Sequence, residues 1–510
     1  MERHDLKRLL GPDMAQDDRF YTKYSVERPK LLKLLRSDAE GFLIVNAPRG
    51  SGKSGLIIDH RADVKRLNAK SSRVITKYYS DIVLPDENDL SINQYLNYWK
   101  NQMLGWIGDE IGKSIGFATH ADELDVIDHA RGRGVVEEGT VSALLKRVKF
   151  NQIPIELTSF DPNLKGDQIK RLIDRSKLKF WILLDEMDDH YTNSYSSNNA
   201  LVGLIQACNF ISNISPRVMV RMTIRPHIMT ILRNNFDIIQ KFKSNEVKIS
   251  WSPDEFIKIL SQRINFFERE TKEFDLDLFS EPQQRNIDAQ RKRERDNVGR
   301  YFADFDLSFS AEKVSRYRAL HTIALRRPRW LIEFCRLALS ESESSYADIP
   351  EFKKAMYEYG SNRIQFLSGE HKFHMPELPT ILGRLASLRK LRFGRSERLR
   401  DTIIEEIIDR GLDGGATEDA SILQKEERAL KVAQDLFMVD FIRARQSLGG
   451  RGGRHRFFDF NDRPSLLESW ADDKTIQWEV HPTFSRGFNL EDTNAYRAGD
   501  EVKLFGDKNR

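Results

Sequence analysis

Phe42-Leu43-Ile44-Val45-Asn46-Ala47-Pro48-Arg49-Gly50-Ser51-Gly52-Lys53-Ser54-Gly55-Leu56 begins as a buried strand, passes through a glycine-bearing turn, and enters a helical pattern carried by Leu56, Ile57, His60, Val64 and Leu67. Gly50 and Gly52 let backbone N–H groups bend inward around phosphate oxygens, and the helix that follows offers its positive N-terminal end to the same charge. In such a loop Lys53 reaches the β- and γ-phosphates and Ser54 the magnesium ion. The segment Ala47–Gly55 is therefore read as the phosphate cradle. The pattern's first glycine is replaced by Ala47, so the opening turn has to form with a methyl group present.

A bare Gly-Lys-Ser arises by chance in many chains, so context has to carry the reading. The second motif supplies it: Phe180-Trp181-Ile182-Leu183-Leu184-Asp185-Glu186 is an apolar run ending in two carboxylates, the Walker B pattern. A parallel strand buried on both faces delivers its last residues to the carboxyl edge of the sheet, where a nucleotide's phosphates are held. Asp185 is expected to support the metal together with Ser54, and Glu186 to polarise the attacking water. The alternative is a solvated Asp-Glu pair that ends a core strand. No Asn/Thr-Lys-x-Asp sequence follows a late strand, so ATP is preferred to GTP.

The chain has 510 residues, too many for one ordinary core, and two or three domains are expected. A formal charge of +4 with 31% charged residues describes a mixed surface, which neither requires nor excludes a nucleic-acid partner. Cys208 and Cys335 lie in apolar helical contexts far apart, suggesting neither a disulfide framework nor a zinc site. The sequence has no apolar N-terminal segment and no run of 18 apolar residues, so a cytoplasmic protein without a membrane span is expected.

Residues 1–40 form a polar segment ending in a helical stretch at 28–35, expected beside the phosphate site. Residues 41–252 form the α/β core, with strands at 42–45, 73–82, 180–185, 217–225 and 246–251 and a long insertion at about 84–179, helical around 95–107. A helical region at 253–370 follows, interrupted by a charged, exposed stretch at about 281–300, and a helix starts at Pro328 behind Arg326-Arg327. Residues 371–510 read as three helices, a glycine-rich hairpin tip at 449–453, and strands at 456–460 and 475–480, the element order of a winged helix.

These segments resemble the AAA+/STAND branch of P-loop ATPases. More narrowly they resemble bacterial ATPases of mobile-element and antiphage-defence loci, which join an origin-recognition-like core to a C-terminal winged helix. The resemblance rests on Ala47–Ser54, Leu183–Asp189, Thr223–Pro226, Val247–Trp251, Arg326–Leu331 and Trp478–Pro482. It implies an ASCE/AAA+ parallel sheet followed by a helical lid and a winged-helix domain, with ATP and Mg2+ as ligands. It also implies Thr223 or Arg225 as a sensor beside Walker B, and Arg327 or Arg329 as the lid arginine.

Two functions compete on these grounds, beside a third, a non-hydrolysing nucleotide sensor, against which the intact Asp185-Glu186 pair counts. One is an ATP-hydrolysing switch coupled to a protein effector or to self-association, plausible in defence against phage or mobile DNA. The other is an ATP-regulated DNA binder that grips through Arg384, Arg389, Lys390, Arg392, Arg395, Arg398 and Arg400 and the hairpin arginines Arg451, Arg454 and Arg456.

Overall fold

The computed structural model describes residues 10–68, 70–85, 90–114, 121–132, 166–270, 287–304, 316–342, 346–388, 392–411, 421–447, 455–470, 475–485 and 487. They fall into two bodies. One comprises Glu27–Pro48 and Lys53–Ile249; the other is drawn from Met1–Val26, Arg49–Gly52 and Ser250–Arg510.

The first body is built on β1 (Phe42–Asn46), β2 (Ser72–Tyr78), β3 (Lys179–Asp185), β4 (Val218–Ile224) and β5 (Glu246–Lys248). The order is β2-β3-β4-β1-β5, and every pairing is parallel. β4 therefore separates the strand that launches the phosphate loop from the strand that ends in Asp185. This is the parallel sheet expected from the sequence, with one strand set between the loop strand and the Walker B strand as in a P-loop NTPase fold. β1 and β4 are buried at every residue, which is why they read as near-continuous apolar runs.

The two faces differ in chemistry. Val218, Val220, Met222 and Ile224 of β4 join a large apolar core with Trp99, Met103, Trp106 and Ile107. The alternating residues Met219, Arg221 and Thr223 lie on the other face, toward the helix Lys53–Asn68. Arg221 is fully buried there. Its guanidinium donates to the carbonyls of Leu35 at 2.7 Å, Val220 at 2.9 Å, Ser37 at 3.0 Å and Gly41 at 3.1 Å. It thus caps the C-terminal end of the helix Pro29–Leu35. Leu32 and Leu35 of that helix pack with Leu43, Val45, Leu56 and Val247, beside the strand that feeds the loop.

The insertion between β2 and β3 is part of the core. Its helix Ile92–Ser114 is longer than expected and lies against the helix Tyr195–Ser212. Trp99 Nε1 donates to the Ala200 carbonyl at 3.0 Å. At Gly203 an added Cβ would stand 2.8 Å from the Tyr95 Cβ, so only glycine allows the two helices to cross this closely. Helices Ala121–Gly132 and Gly166–Ser176 complete the described part, and residues 133–165 lie outside it. β2 ends at Tyr78 rather than at 82, because the Asp81 carboxylate accepts the Tyr78 N–H at 2.9 Å and closes a turn. β5 likewise stops at Lys248 rather than at 251.

In the second body, helices Pro253–Glu270, Ile287–Gly299, Arg316–Ile323, Pro328–Glu341 and Ile349–His371 follow in order. The charged stretch forms the helix Ile287–Gly299, which is largely exposed, and its Arg295 pairs with Asp254 at 3.2 Å. Next come the helix Leu378–Ser387, β6 (Arg392–Gly394), the helices Ser396–Ile403 and Ile422–Met438, β7 (Ile442–Ser447), β8 (His455–Phe458) and β9 (Ile476–Val480). The strands form an antiparallel sheet in the order β6-β9-β7-β8. The three helices, β8 and β9 match the elements expected from sequence, while β6 and β7 do not appear among them.

Among the described residues, several arginines of the basic cluster are engaged by the protein itself. Arg384 donates to the Ile407 carbonyl at 2.8 Å, Arg400 pairs with Asp401 and Glu426 at 3.1 Å each, and Arg392 lies 3.9 Å from Glu479. Arg395 and Arg398 are exposed, whereas Arg389, Lys390, Arg451, Arg454 and the hairpin tip lie outside the described residues. Cys208 and Cys335 are buried free thiols. Among the described residues no helix is long and apolar enough to cross a membrane.

Candidate nucleotide site

β1 runs into the loop without a break, since Ala47 N–H still donates to the Ile224 carbonyl of β4 at 3.2 Å. Ala47 is buried, so the methyl at the pattern's glycine position is accommodated inside the protein. Gly50 and Gly52 adopt φ of +81° and +89°, the left-handed backbone that the turn demands. Lys53 starts the following helix, and its ammonium donates to the carbonyls of Ala47 at 2.7 Å and Pro48 at 3.2 Å. The lysine head is thereby held within its own loop.

At the carboxyl end of β3, Asp185 is fully buried. Its Oδ1 accepts the Thr223 hydroxyl at 2.6 Å and the Glu186 N–H at 3.1 Å. Its Oδ2 is buried as well. Burial pushes this carboxyl above the usual carboxylate range; hydrogen bonding from Thr223 and Ser54 and the Lys53 charge pull it back, and Asp188 adds to the rise. Glu186 has φ +60°, a conformation that costs a non-glycine residue about 1–3 kcal/mol and survives only where surrounding contacts enforce it. The Thr223 hydroxyl, 3.4 Å from the Glu186 N–H, is one of those contacts.

Behind Glu186 the carboxylate of Asp188 accepts the backbone N–H of Arg225 at 2.7 Å and faces its Nε at 3.8 Å. Asp189 takes the other end of the Arg225 guanidinium. Arg225 is therefore bracketed by two acids of the Walker B turn. The buried oxygen of Asp185, with Ser54 and Lys53 around it, suits a small hard cation with oxygen ligands, so Ser54 and Asp185 fit Mg2+.

The loop tip Arg49–Gly52 is packed within the second body. Trp251 Nε1 donates to the Ser51 carbonyl at 2.8 Å, and the Arg329 N–H to the Gly50 carbonyl at 3.2 Å. A Cβ at Gly50 would meet the Trp330 ring at 3.3 Å. Arg49 lies over the Phe366 ring at 5.5 Å. Arg327 stands directly before the helix Pro328–Glu341, and its buried guanidinium pairs with Asp440 at 2.8 Å and lies 4.1 Å over Trp330.

No family model and no curated protein matches this chain. It is similar to the solved structure of the Aeropyrum pernix ORC2 protein in its ADPNP-ADP complexes, at 11% identity and a TM-score of 0.39 over 93% of this chain and 97% of that one. The ADP form of the same protein gives 11% identity and a TM-score of 0.33 over 93% and 96% of the two chains. A likeness that weak carries no argument.

The residues named from sequence thus fall into two groups. Lys53, Ser54, Asp185, Glu186, Thr223 and Arg225 share the first body, where Asp185 gathers Lys53, Ser54 and Thr223 around itself. Arg49, Gly50, Ser51, Gly52, Arg327 and Arg329 belong to the second. Sequence reading had assigned no role to Asp188 and Asp189. Their only signal was a second pair of acids following Asp185-Glu186 across a single methionine.

Proposed function

We propose that this chain binds ATP with Mg2+ and hydrolyses it, and that the change of nucleotide passes to a protein effector or to another copy of the chain. The observation that carries the reading is the Asp185 carboxylate: buried, fixed on one oxygen by Thr223, with Ser54 and Lys53 beside it, and followed directly by Glu186. A buried carboxylate beside a serine hydroxyl offers two oxygen ligands to a small hard cation.

Ser54 and Asp185 would hold the magnesium ion, which when bound neutralises charge on the phosphates. Lys53 would exchange its two carbonyl partners for phosphate oxygens, a stronger charge-assisted contact. Glu186 would take a proton on its carboxylate from the water attacking the γ-phosphorus. Arg329, whose backbone meets the loop tip, is favoured over Arg327 for a phosphate contact, because the Arg327 guanidinium is already committed to Asp440. The scattered partners of the basic cluster speak against a duplex-gripping face. A setting in defence against mobile DNA comes from the resemblance alone.

Titrating a fluorescent ATP analogue with Mg2+ and measuring phosphate release tests the reading. Wild type should bind and turn over, while a folded Lys53→Ala protein should lose binding. Wild-type turnover by Lys53→Ala, or no binding by wild type, would overturn it.

A further inference from the structure

We propose that Arg326 and Arg327 form a two-pronged latch tying the phosphate-loop tip to the antiparallel sheet module, so that a change of loop conformation is transmitted to that module. The inference rests on the nucleotide-switch reading for its physiological trigger, and on the geometry of the second body for the coupling itself.

Four residues of the stretch 326–330 touch one end or the other. Arg326 Nη1 donates to Asp462 Oδ1 at 2.8 Å and to Oδ2 at 2.9 Å, and its Nη2 lies 3.2 Å from Asp459. Arg327 pairs with Asp440 at 2.8 Å. Asp440 stands just before β7, and Asp459 and Asp462 just after β8, so the three acids mark the base of one hairpin. The Phe460 N–H donates to Asp440 at 3.3 Å and the Asp459 N–H to Asp462 at 3.2 Å, which joins the two flanks of that hairpin. On the other side, Arg329 N–H and the Trp330 ring meet Gly50. The guanidinium groups of Arg327 and Arg363 lie over the Trp330 ring at 4.1 Å and 4.6 Å.

The backbone carries the mark of a set element. Leu325, Arg326 and Asp440 have φ of +48°, +56° and +59°, left-handed conformations in residues that are not glycine. Such conformations persist only where their surroundings over-determine them, and they gather at switch regions. Arg326 and Asp440 each enter one of these ion pairs, and Leu325 directly precedes the first. A chain of packed rings, ion pairs and one rigid helix start is a contiguous path along which a displacement at Gly50 reaches the hairpin base.

Hydrogen–deuterium exchange over β7, β8 and the 459–467 turn tests the latch without relying on nucleotide. Gly50→Ala, which forces a methyl against Trp330, should change exchange at the hairpin base by about threefold or more. Asp459→Asn/Asp462→Asn should abolish that response. Should the double variant fail to fold, Arg326→Lys, which cannot make the bidentate contact, should weaken the response. ATP analogue with Mg2+ should move the same segments in wild type and not in the latch variants, with nucleotide affinity unchanged within about threefold. A chain that binds no nucleotide yet shows the Gly50→Ala response keeps the latch and loses the ATPase reading. A hairpin unmoved by Gly50→Ala in a chain that does bind nucleotide overturns the latch.

Discussion

Replacing Thr223 with valine keeps the shape of the side chain and removes one donor from a fully buried carboxylate. The bond from the Thr223 hydroxyl to Asp185 Oδ1 measures 2.6 Å, within the short range of hydrogen bonds to ionised acceptors. Bonds of that kind contribute about 1.5–3 kcal/mol, a factor of roughly 10 to 150 in the folding equilibrium. The sign with pH follows from the carboxyl's position. Burial already raises the folded-state pKa of Asp185 above its unfolded value, and loss of Thr223 raises it further. A raised carboxyl weakens the fold at pH above its folded pKa, and the penalty fades as pH falls through that value. Urea unfolding of wild type and Thr223→Val across a pH series should therefore show the full loss at the alkaline end and a smaller one as pH falls toward the ordinary carboxylate range. In an Asp185→Asn background, where no charge can form, the same change should cost only about 0.5–1.5 kcal/mol and be insensitive to pH. Equal losses across the pH series and in both backgrounds would show that Thr223 acts through packing alone.

Two further outcomes are expected. Glu186→Gln should retain nucleotide and slow turnover by roughly 10²-fold or more, since it keeps size and hydrogen bonding but not the base; normal turnover in a phosphate-release assay would remove Glu186 from the reaction. Arg221→Met should lower stability by about 3 kcal/mol or more in urea, because it strands carbonyls of Leu35, Ser37 and Gly41 in the interior; a loss below about 1 kcal/mol would mean that water replaces the guanidinium there.

What could be read from the sequence followed from burial on both faces. β1 and β3 announce themselves because a covered parallel strand needs apolar residues at nearly every position, and the loop because left-handed turns need Gly50 and Gly52. Arg221 contradicts that pattern in mid-strand, since its partners are backbone carbonyls that leave no trace in side-chain composition. β7, Ile442-Arg443-Ala444-Arg445-Gln446-Ser447, was hidden for a similar reason. Its arginines alternate with apolar residues, and Arg443 is paired with buried Glu479 at 2.7 Å on a neighbouring strand. A helix-opening arginine reads the same whether it meets a phosphate or an acid, and Asp440 lies too far along the chain for any local pattern to link it to Arg327. The Asp188–Arg225 contact is likewise made across two strand ends, where only the fold brings the partners together.

The strand order sets a schedule for synthesis. β1 pairs only with β4 and β5, and its first partner register is Phe42 with Val220. A strand buried at all five residues is therefore made early and left without a neighbour while most of the α/β core is still to come. At roughly 5–20 residues per second, that interval is on the order of 10–35 s. For that time the ribosome displays an aggregation-prone apolar strand whose shelter is the helix Pro29–Leu35, already made, and whose sheet cannot close before β4 is made. The intervening helices between β2 and β3 bury their apolar faces against one another and the sheet, so expression yield in this chain should depend more on how fast β4 arrives than on the strength of any single contact in the finished core.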